Sequence, residues 1–295
     1  MNKESIAIIG LGKVGTALGY LLHSAGYPIV AVSDQSATAL DVGREYTGGT
    51  GCLDPVEAAS HADVVFITTS DDAIRSVCTK LSESDAAVRG KKVVHVSGAG
   101  GLDLLDSARR NGARVASIHP LQSFADVSGA INNIPGSTFG ITADAEIEAW
   151  AQEVVRDLGG KPVLIAEEDK PLYHAAACIV SNYLVTLMYI GEQIYQQLGI
   201  EPEEALTSFW PLVKGTIRNI ENRGVCQSLT GPIARGDTGT IRTHLSILES
   251  KMPALLSLYR ELGAVTADVG QKGNALSIEK TNDIKLLLKG DRTHE

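Results

Sequence analysis

"IAIIGLGKVG", residues 6–15, is four consecutive apolar residues, a glycine, and then the start of a segment with helical texture. An apolar run of that length, closed by a glycine, reads as a short strand buried on both faces. Gly10 suits the tight turn, Gly12 lets a ligand come close to the backbone, and Gly15 lets the helix pack tightly against the strand. The new helix, opened by Lys13 and Val14, begins with unpaired N–H groups and the positive end of its dipole, which together suit a phosphate. Alone, the spacing is a weak signal. Between a strand and a helix at the head of the chain it points to dinucleotide binding.

Further runs of the same kind follow: IVAVS (29–33), DVVFITT (63–69), KVVHVS (92–97) and RVASIH (114–119), with TFGIT (138–142) and PVLIA (162–166) as two further candidates. Segments of helical length and period alternate with them, at Val14–Ser24, Ala37–Arg44, Asp72–Leu81, Leu102–Asn111 and Ala145–Leu158. Strand alternating with helix implies an α/β domain of Rossmann type, a doubly wound parallel sheet. After about Ala166 the strand-like runs cease and long amphipathic patterns take over, at 170–198, 203–222, 238–262 and 277–289. Pro211 and Pro253 fall inside two of them and predict kinks. The expected organisation is a dinucleotide-binding domain over residues 1–168 and an all-helical domain over 169–295, for substrate and dimerisation, with the change at Glu167–Asp169.

Composition narrows the class. The 295 residues are 44% apolar and 21% charged with a net charge of −9, values of a globular chain that disfavour a nucleic-acid or anionic-membrane partner. No apolar run approaches the roughly 20 residues of a membrane span. Glycines interrupt the N-terminal apolar stretch, which argues against a signal peptide. Cys52, Cys78, Cys178 and Cys226 stand far apart without metal-ligand spacing, so no metal site is expected and reduced thiols in a cytoplasmic protein are.

Ligands of such sheets lie beyond the carboxyl ends of the strands. Ser33 and Asp34 close the second apolar run. Asp34 suits a ribose diol and opposes a 2′-phosphate, whereas Ser33, Gln35 and Ser36 suit the phosphate, so NAD and NADP both stay open. Asp72 reads as a helix cap. Thr68, Thr69 and Ser70 end the third run and face the middle of the cofactor; Ser97 and Gly98 end the fourth, where small residues admit a nicotinamide or substrate; His119 ends the fifth, placed for substrate contact. In "KPLYHAAACIVSN", residues 170–182, Lys170, His174 and Ser181 fall within roughly 40° of one another at about 100° per residue. Ala177 and Cys178 leave that face recessed, Asn182 sits at its edge, and a stripe of Leu172, Ile179, Val180, Tyr183, Leu187 and Ile190 lies opposite. Facing a crevice, Lys170 would serve as proton donor and alkoxide stabiliser, with His174 sharing that role or orienting the substrate. A solvated helix start is the plainer alternative.

GLGKVG, HVSGAGG, SIHPLQSF, KPLYHAAACIVSN and LTGPIARGD together resemble a family of two-domain Rossmann-like proteins whose helical C-terminal domain has long been of unknown function. Its relatives are ketopantoate reductase, pyrroline-5-carboxylate reductase and 6-phosphogluconate dehydrogenase. The resemblance implies an NAD(P)-dependent reductase that dimerises through its helical domains and takes a small 2-keto acid, ketopantoate first; cyclic imine reduction and non-catalytic NAD(P) sensing are the alternatives. The Lys-x-x-x-Asn pattern of the hydroxyacid dehydrogenases falls on Lys170 and His174, with histidine replacing asparagine. Thr230 and Arg235 in LTGPIARGDTG, with Arg242 just beyond it, suit a carboxylate clamp. The alternative there is a structural loop in which Asp237 starts a helix.

Overall fold

The computed structural model describes residues 3–290. Eight strands form one sheet: β1 (Ile6–Ile9), β2 (Ile29–Ser33), β3 (Thr50–Cys52), β4 (Val64–Ile67), β5 (Lys92–His95), β6 (Arg114–Pro120), β7 (Thr138–Ala143) and β8 (Lys161–Leu164). Their order is β3-β2-β1-β4-β5-β6-β7-β8. The chain runs outward from β1 in one direction and from β4 in the other, so the crevice between the ends of β1 and β4 is the switch point of a doubly wound sheet. The expectation of a parallel sheet holds for six of the seven pairings; β6 and β7 pair antiparallel. The segment between them, which holds only α7, returns the chain antiparallel to β6, and β8 then pairs parallel to β7.

Both faces of the sheet are covered, which is why its strands are continuously apolar. Alternate residues go to opposite cores. Ile6, Ile8, Val64, Phe66, Val94 and Ile118 point to one, and Ala7, Ile9, Val65, Ile67, Val93 and Val115 to the other. The flanking helices are α1 (Lys13–Ser24), α2 (Ala37–Thr47), α3 (Pro55–Ser60), α4 (Asp71–Leu81), α5 (Asp85–Val88), α6 (Asp106–Arg110), α7 (Val127–Asn133) and α8 (Glu148–Asp157). In the helix expected over Asp72–Leu81 the N-cap position falls to Ser70 rather than Asp72, without a side-chain cap hydrogen bond, and Asp71 and Asp72 lie in its first turn, where carboxylates suit the dipole.

The remaining chain is helical: α9 (Lys170–Val180), α10 (Asn182–Gln196), α11 (Pro202–Arg223), α12 (Gly231–Ala234), α13 (Thr238–Lys251), α14 (Leu256–Lys272) and α15 (Ile278–Lys289). Pro211 stays inside one continuous α11. Pro253 does more than kink its helix: α13 ends at Lys251 and a 3-10 turn, Pro253–Leu255, precedes α14, since proline lacks the N–H and clashes with the preceding turn. Asp237 starts α13, its carboxylate accepting from Thr240 N–H at 3.0 Å. Packing divides the chain into compact units after Thr186, so α9 belongs with the sheet although the change of texture falls at Glu167–Asp169. The second unit has a small core of Ile233, Ile241, Ala267, Leu276, Ile284 and Leu288.

The run Glu167–Gln196 departs from sequence expectation. By length and composition it meets the standard of a membrane span, with a mean hydropathy of 1.3. Lys170, His174 and Glu192 interrupt the apolar letters, but helical continuity gathers those letters into broad faces. Leu172 (74%), Val180 (71%) and Val185 (70%) are largely exposed.

The glycine turn shows which of its members are structural. Thr68 Oγ1 donates to the carbonyl of Gly10 at 2.6 Å. A Cβ on Gly15 would lie 2.0 Å from that carbonyl oxygen and 2.4 Å from Thr68 Oγ1, whereas one on Gly12 would meet nothing within 4 Å. Gly15→Ala is therefore expected to cost at least about 2 kcal/mol in urea unfolding, and Gly12→Ala less than about 1 kcal/mol. Equal losses would mean that the helix does not pack on the strand end at Gly15.

Candidate functional site

A cavity of about 650 Å³ opens at the ends of β1, β2 and β4. Of the expected cofactor residues, Gly10, Gly12, Ser33, Asp34, Thr68, Thr69 and Ser70 line it. Lys13 and Val14 open α1 beside it, Lys13 exposed and Val14 packed against the core, and Gly15 stands behind the turn. No side chain caps the N-terminus of α1. Asp34 is held from two sides: its carboxylate accepts from Leu11 N–H at 2.7 Å and from Ser36 N–H at 2.8 Å. It thus braces the glycine turn while facing the cavity. Ser36 does not line the cavity; its hydroxyl caps α2 by accepting from Ala39 N–H. Gln35, weighed for a 2′-phosphate, lines it too; Leu53, Pro55, Ala73, Ser76, Val77 and Lys80 also line it and escaped sequence reasoning. Leu53 and Pro55 follow a strand of three residues too short to read, and the α4 residues face inward only once that helix is docked.

The second group of residues gathers at the ends of β5 and β6, under the start of α9. Lys170 is 1% exposed. Its Nζ donates to the Ser97 carbonyl at 3.2 Å and to Ser117 Oγ at 2.8 Å. Pro171 forms the first turn of α9, where its missing N–H costs nothing, and the lysine is directed back into the sheet. Ser97 is the hub. Its hydroxyl donates to the Asp71 carboxylate at 2.7 Å and accepts from Gly100 N–H at 2.9 Å; its N–H donates to His95 Nδ1 at 3.1 Å. His95 Nε2 lies 3.1 Å from the Gly101 carbonyl, so this buried imidazole pins both ends of the Ser97–Gly101 turn. Glu167 accepts from Leu102 N–H at 2.8 Å.

His119 and His174 meet over Gly98. Their rings are 5.9 Å apart at 74°, and a Cβ on Gly98 would come within 2.8 Å of both. Tyr173 Oη is 3.0 Å from His119 Nδ1. His174 Nδ1 has only Cys178 Sγ nearby, at 3.8 Å. Lys170, Ser97, Gly98, His119 and His174 are therefore brought together. Ser181 and Asn182 are exposed at the break between α9 and α10; no hydrogen bond joins their side chains to the cluster among the described residues. Arg235 is exposed in a turn of the helical unit after α12. His95, Asp71, Ser117 and Tyr173 were missed. His95 and Ser117 had a signal, each being a polar residue within an apolar strand.

Burial governs the charges here. It pushes Lys170 down to about 8, against the opposing pull of Asp71 and Glu167. It pushes His95 down to about 4, helped by the Lys170 ammonium. His119 also falls to about 4, through burial first and then Lys170 and His174. Burial raises the Tyr173 phenol. Near neutral pH the cluster holds one ammonium beside two uncharged imidazoles.

Residues 1–120 match the model of a Rossmann-like domain, and residues 137–266 match that of DUF2520, a domain of unknown function. Protein TM1727 from Thermotoga maritima is similar over 91% of this chain and 99% of its own, at 27% identity and a TM-score of 0.73. A Bacteroides fragilis protein provisionally described as an NADP oxidoreductase superposes over 92% and 99%, at 20% identity and a TM-score of 0.70. The pyrroline-5-carboxylate reductase of Coxiella burnetii covers 97% and 99%, at 20% identity and a TM-score of 0.57. Among curated proteins, none matches.

The buried lysine generates a test of sign. Its folded pKa of about 8 lies below its ordinary value of 10.5, so the unfolded chain binds more protons between those values. Folding stability contributed by this group therefore rises with pH across that window and is lowest beneath it. The unfolding free energy of the wild type minus that of Lys170→Met should increase by about 1–3 kcal/mol from pH 8 to pH 10.5. A difference independent of pH would place the ammonium in water.

Proposed function

We propose that this chain, a Rossmann-like domain joined to a DUF2520 helical domain, is a reductase that passes hydride from NADPH or NADH to the carbonyl or imine carbon of a small acid. The observation that carries the reading is the cavity at the switch point, open in front of Gly12 and walled by Asp34, which meets the polar cluster through the Ser97–Asp71 hydrogen bond. The residues fit a dinucleotide. Uncapped N–H groups of α1 and the open face of Gly12 suit a pyrophosphate, and the Asp34 carboxylate suits a ribose diol.

A bound reduced nicotinamide would supply the hydride. The chain's own residues have the other tasks. As hydride reaches the carbonyl carbon, the π electrons move onto oxygen, which needs a hydrogen-bond donor and finally a proton from solvent. The Lys170 ammonium lies behind the Ser97 carbonyl, and its fixed charge lowers the cost of negative charge developing at this end of the crevice. The histidines over Gly98 are the polar groups on the open side. Ketopantoate is the first 2-keto acid to test. Cyclic imines are the second class, favoured by the likeness to pyrroline-5-carboxylate reductase. Oxidation of NADPH and NADH followed against 2-keto acids and cyclic imines tests the reading; dinucleotide binding without turnover on either class would support a sensor instead.

Binding itself is checked by calorimetry. Gly12→Val should abolish dinucleotide binding with the fold intact, because the added side chain fills the space that a pyrophosphate needs. Asp34→Asn keeps an acceptor for Leu11 N–H yet removes the charge, so the affinity for NADPH relative to NADH should rise by about tenfold, equivalent to about 1.4 kcal/mol. An unmoved ratio would place the 2′ position away from Asp34.

The exposed apolar faces of α9 and α10 are assigned to a second copy of the chain. In the helical unit, Trp210 and Leu212 of α11 are exposed as well, and apolar exposure of this kind along helices is what an interface between copies covers. Lipid is the poorer occupant, since Lys170 and His174 at one end of the run are engaged with the sheet. Light scattering should give twice the chain mass of 31.2 kDa, and Val185→Glu should shift the population toward the monomer. A monomer at micromolar concentration would leave the surface without its occupant.

A further inference from the structure

One group in the cluster has a direction that its neighbours lack. We infer that His119 is held as the Nε2–H tautomer and presents that N–H to the reacting oxygen or nitrogen of the substrate, with Tyr173 as the positioning residue that sets the tautomer. The tautomer stands on the contact between Tyr173 and His119; what the N–H meets rests on the reductase reading.

The arrangement begins in the sheet, where Gly140 lies opposite His119 in the antiparallel pairing of β6 and β7 and the Tyr173 ring lies over it. The ring reaches this position only because residue 140 is glycine: a Cβ would come 2.8 Å from Tyr173 Cζ and 2.9 Å from Oη. Between a phenol and an uncharged imidazole, the phenol O–H is the stronger donor and the bare ring nitrogen the stronger acceptor. The acceptor is His119 Nδ1, 3.0 Å away, with the two rings edge to face at 88°. An uncharged imidazole that accepts at Nδ1 carries its proton on Nε2.

Nε2 has work left to do. It takes part in no hydrogen bond among the described residues, and it is not sealed off as a buried unpartnered atom. It lies against Gly98, where only the absence of a side chain lets the two imidazoles come so close to the turn. The same turn is tied through Ser97 and Asp71 to the strand end that lines the cavity. The alternatives are less directed. Lys170 already serves Ser97 and Ser117, and His174 has only a thiol at 3.8 Å to orient its ring. Asp71, Lys170, His174 and His95 are the charged or titratable groups that act on His119, and the ammonium among them opposes a second proton on the ring. A neutral N–H fixed in place polarises a carbonyl or imine without reorganising during the reaction.

The tautomer is read directly by ¹⁵N–¹H correlation spectra of histidine-labelled protein at pH 7, with no substrate. Wild type should show His119 protonated on Nε2 and unprotonated on Nδ1, and Tyr173→Phe should give a mixture of tautomers. An Nδ1–H form in the wild type, or an unchanged ring in Tyr173→Phe, overturns the assignment. Turnover tests the donor role on whichever substrate proves active. His119→Leu should lower kcat by about 10²-fold with dinucleotide affinity unchanged, while His119→Gln, which keeps an N–H near Nε2, should retain most of it. Equal loss in both variants would reduce His119 to packing. Absence of any substrate would refute the reductase reading while leaving the spectroscopic result standing.

Discussion

A lysine ammonium 1% exposed cannot be left to itself. Lys170 is the first residue of α9, and its charge is accommodated only by acceptors at the ends of two strands, the Ser97 carbonyl and the Ser117 hydroxyl. An unpaired buried charge costs several kcal/mol, so the start of α9 has one place to sit. That placement brings Tyr173 to Gly140 and His119, and His174 to Gly98. It also ties α9 to the sheet unit although α9 continues the helical half of the sequence. The geometry of the polar cluster follows from this one accommodation.

The lysine and the histidines are electrically coupled through the same burial. Desolvation lowers all three, and the ammonium lowers the imidazoles further. A site near neutral pH with uncharged histidines beside one cation has fixed donors rather than mobile charges. His95 uses both nitrogens on the Ser97–Gly101 turn; His119 uses one and keeps the other for a ligand. Two buried histidines with the same downward shift therefore have different tasks, and hydrogen-bond partners distinguish them where pKa does not.

The apolar surface of the helical half presents a different constraint. Its core is confined to α12–α15, and α10 contributes no buried residue. Helices that are apolar on several sides gain little from remaining in water. The second copy assigned to that surface would remove this exposure, and the long helix would then belong to the assembly as much as to the chain.

Much of the architecture was legible in the letters. Short apolar runs marked seven strands, because a sheet covered on both faces needs continuous apolarity. Gly10, Gly12 and Gly15 marked the turn, because only residues without a side chain permit such close approaches. The three-residue β3 escaped, being too short to show a period, and the antiparallel direction of β7 escaped because direction leaves no mark on composition. In the site, Asp34 and the strand-end residues were found from position alone. What tertiary structure decided was orientation and partnership. Lys170 looked like a residue facing an open crevice, yet it is enclosed beneath Ser97; Asp34 looked like a ligand group and is also a brace for Leu11; Tyr173 gave no sign until Gly140, distant in sequence, was seen to admit it. Periodicity and spacing record which residues share a strand end or a helix face. Hydrogen bonds between elements far apart in sequence set what each side chain meets, and those bonds exist only once the chain has folded.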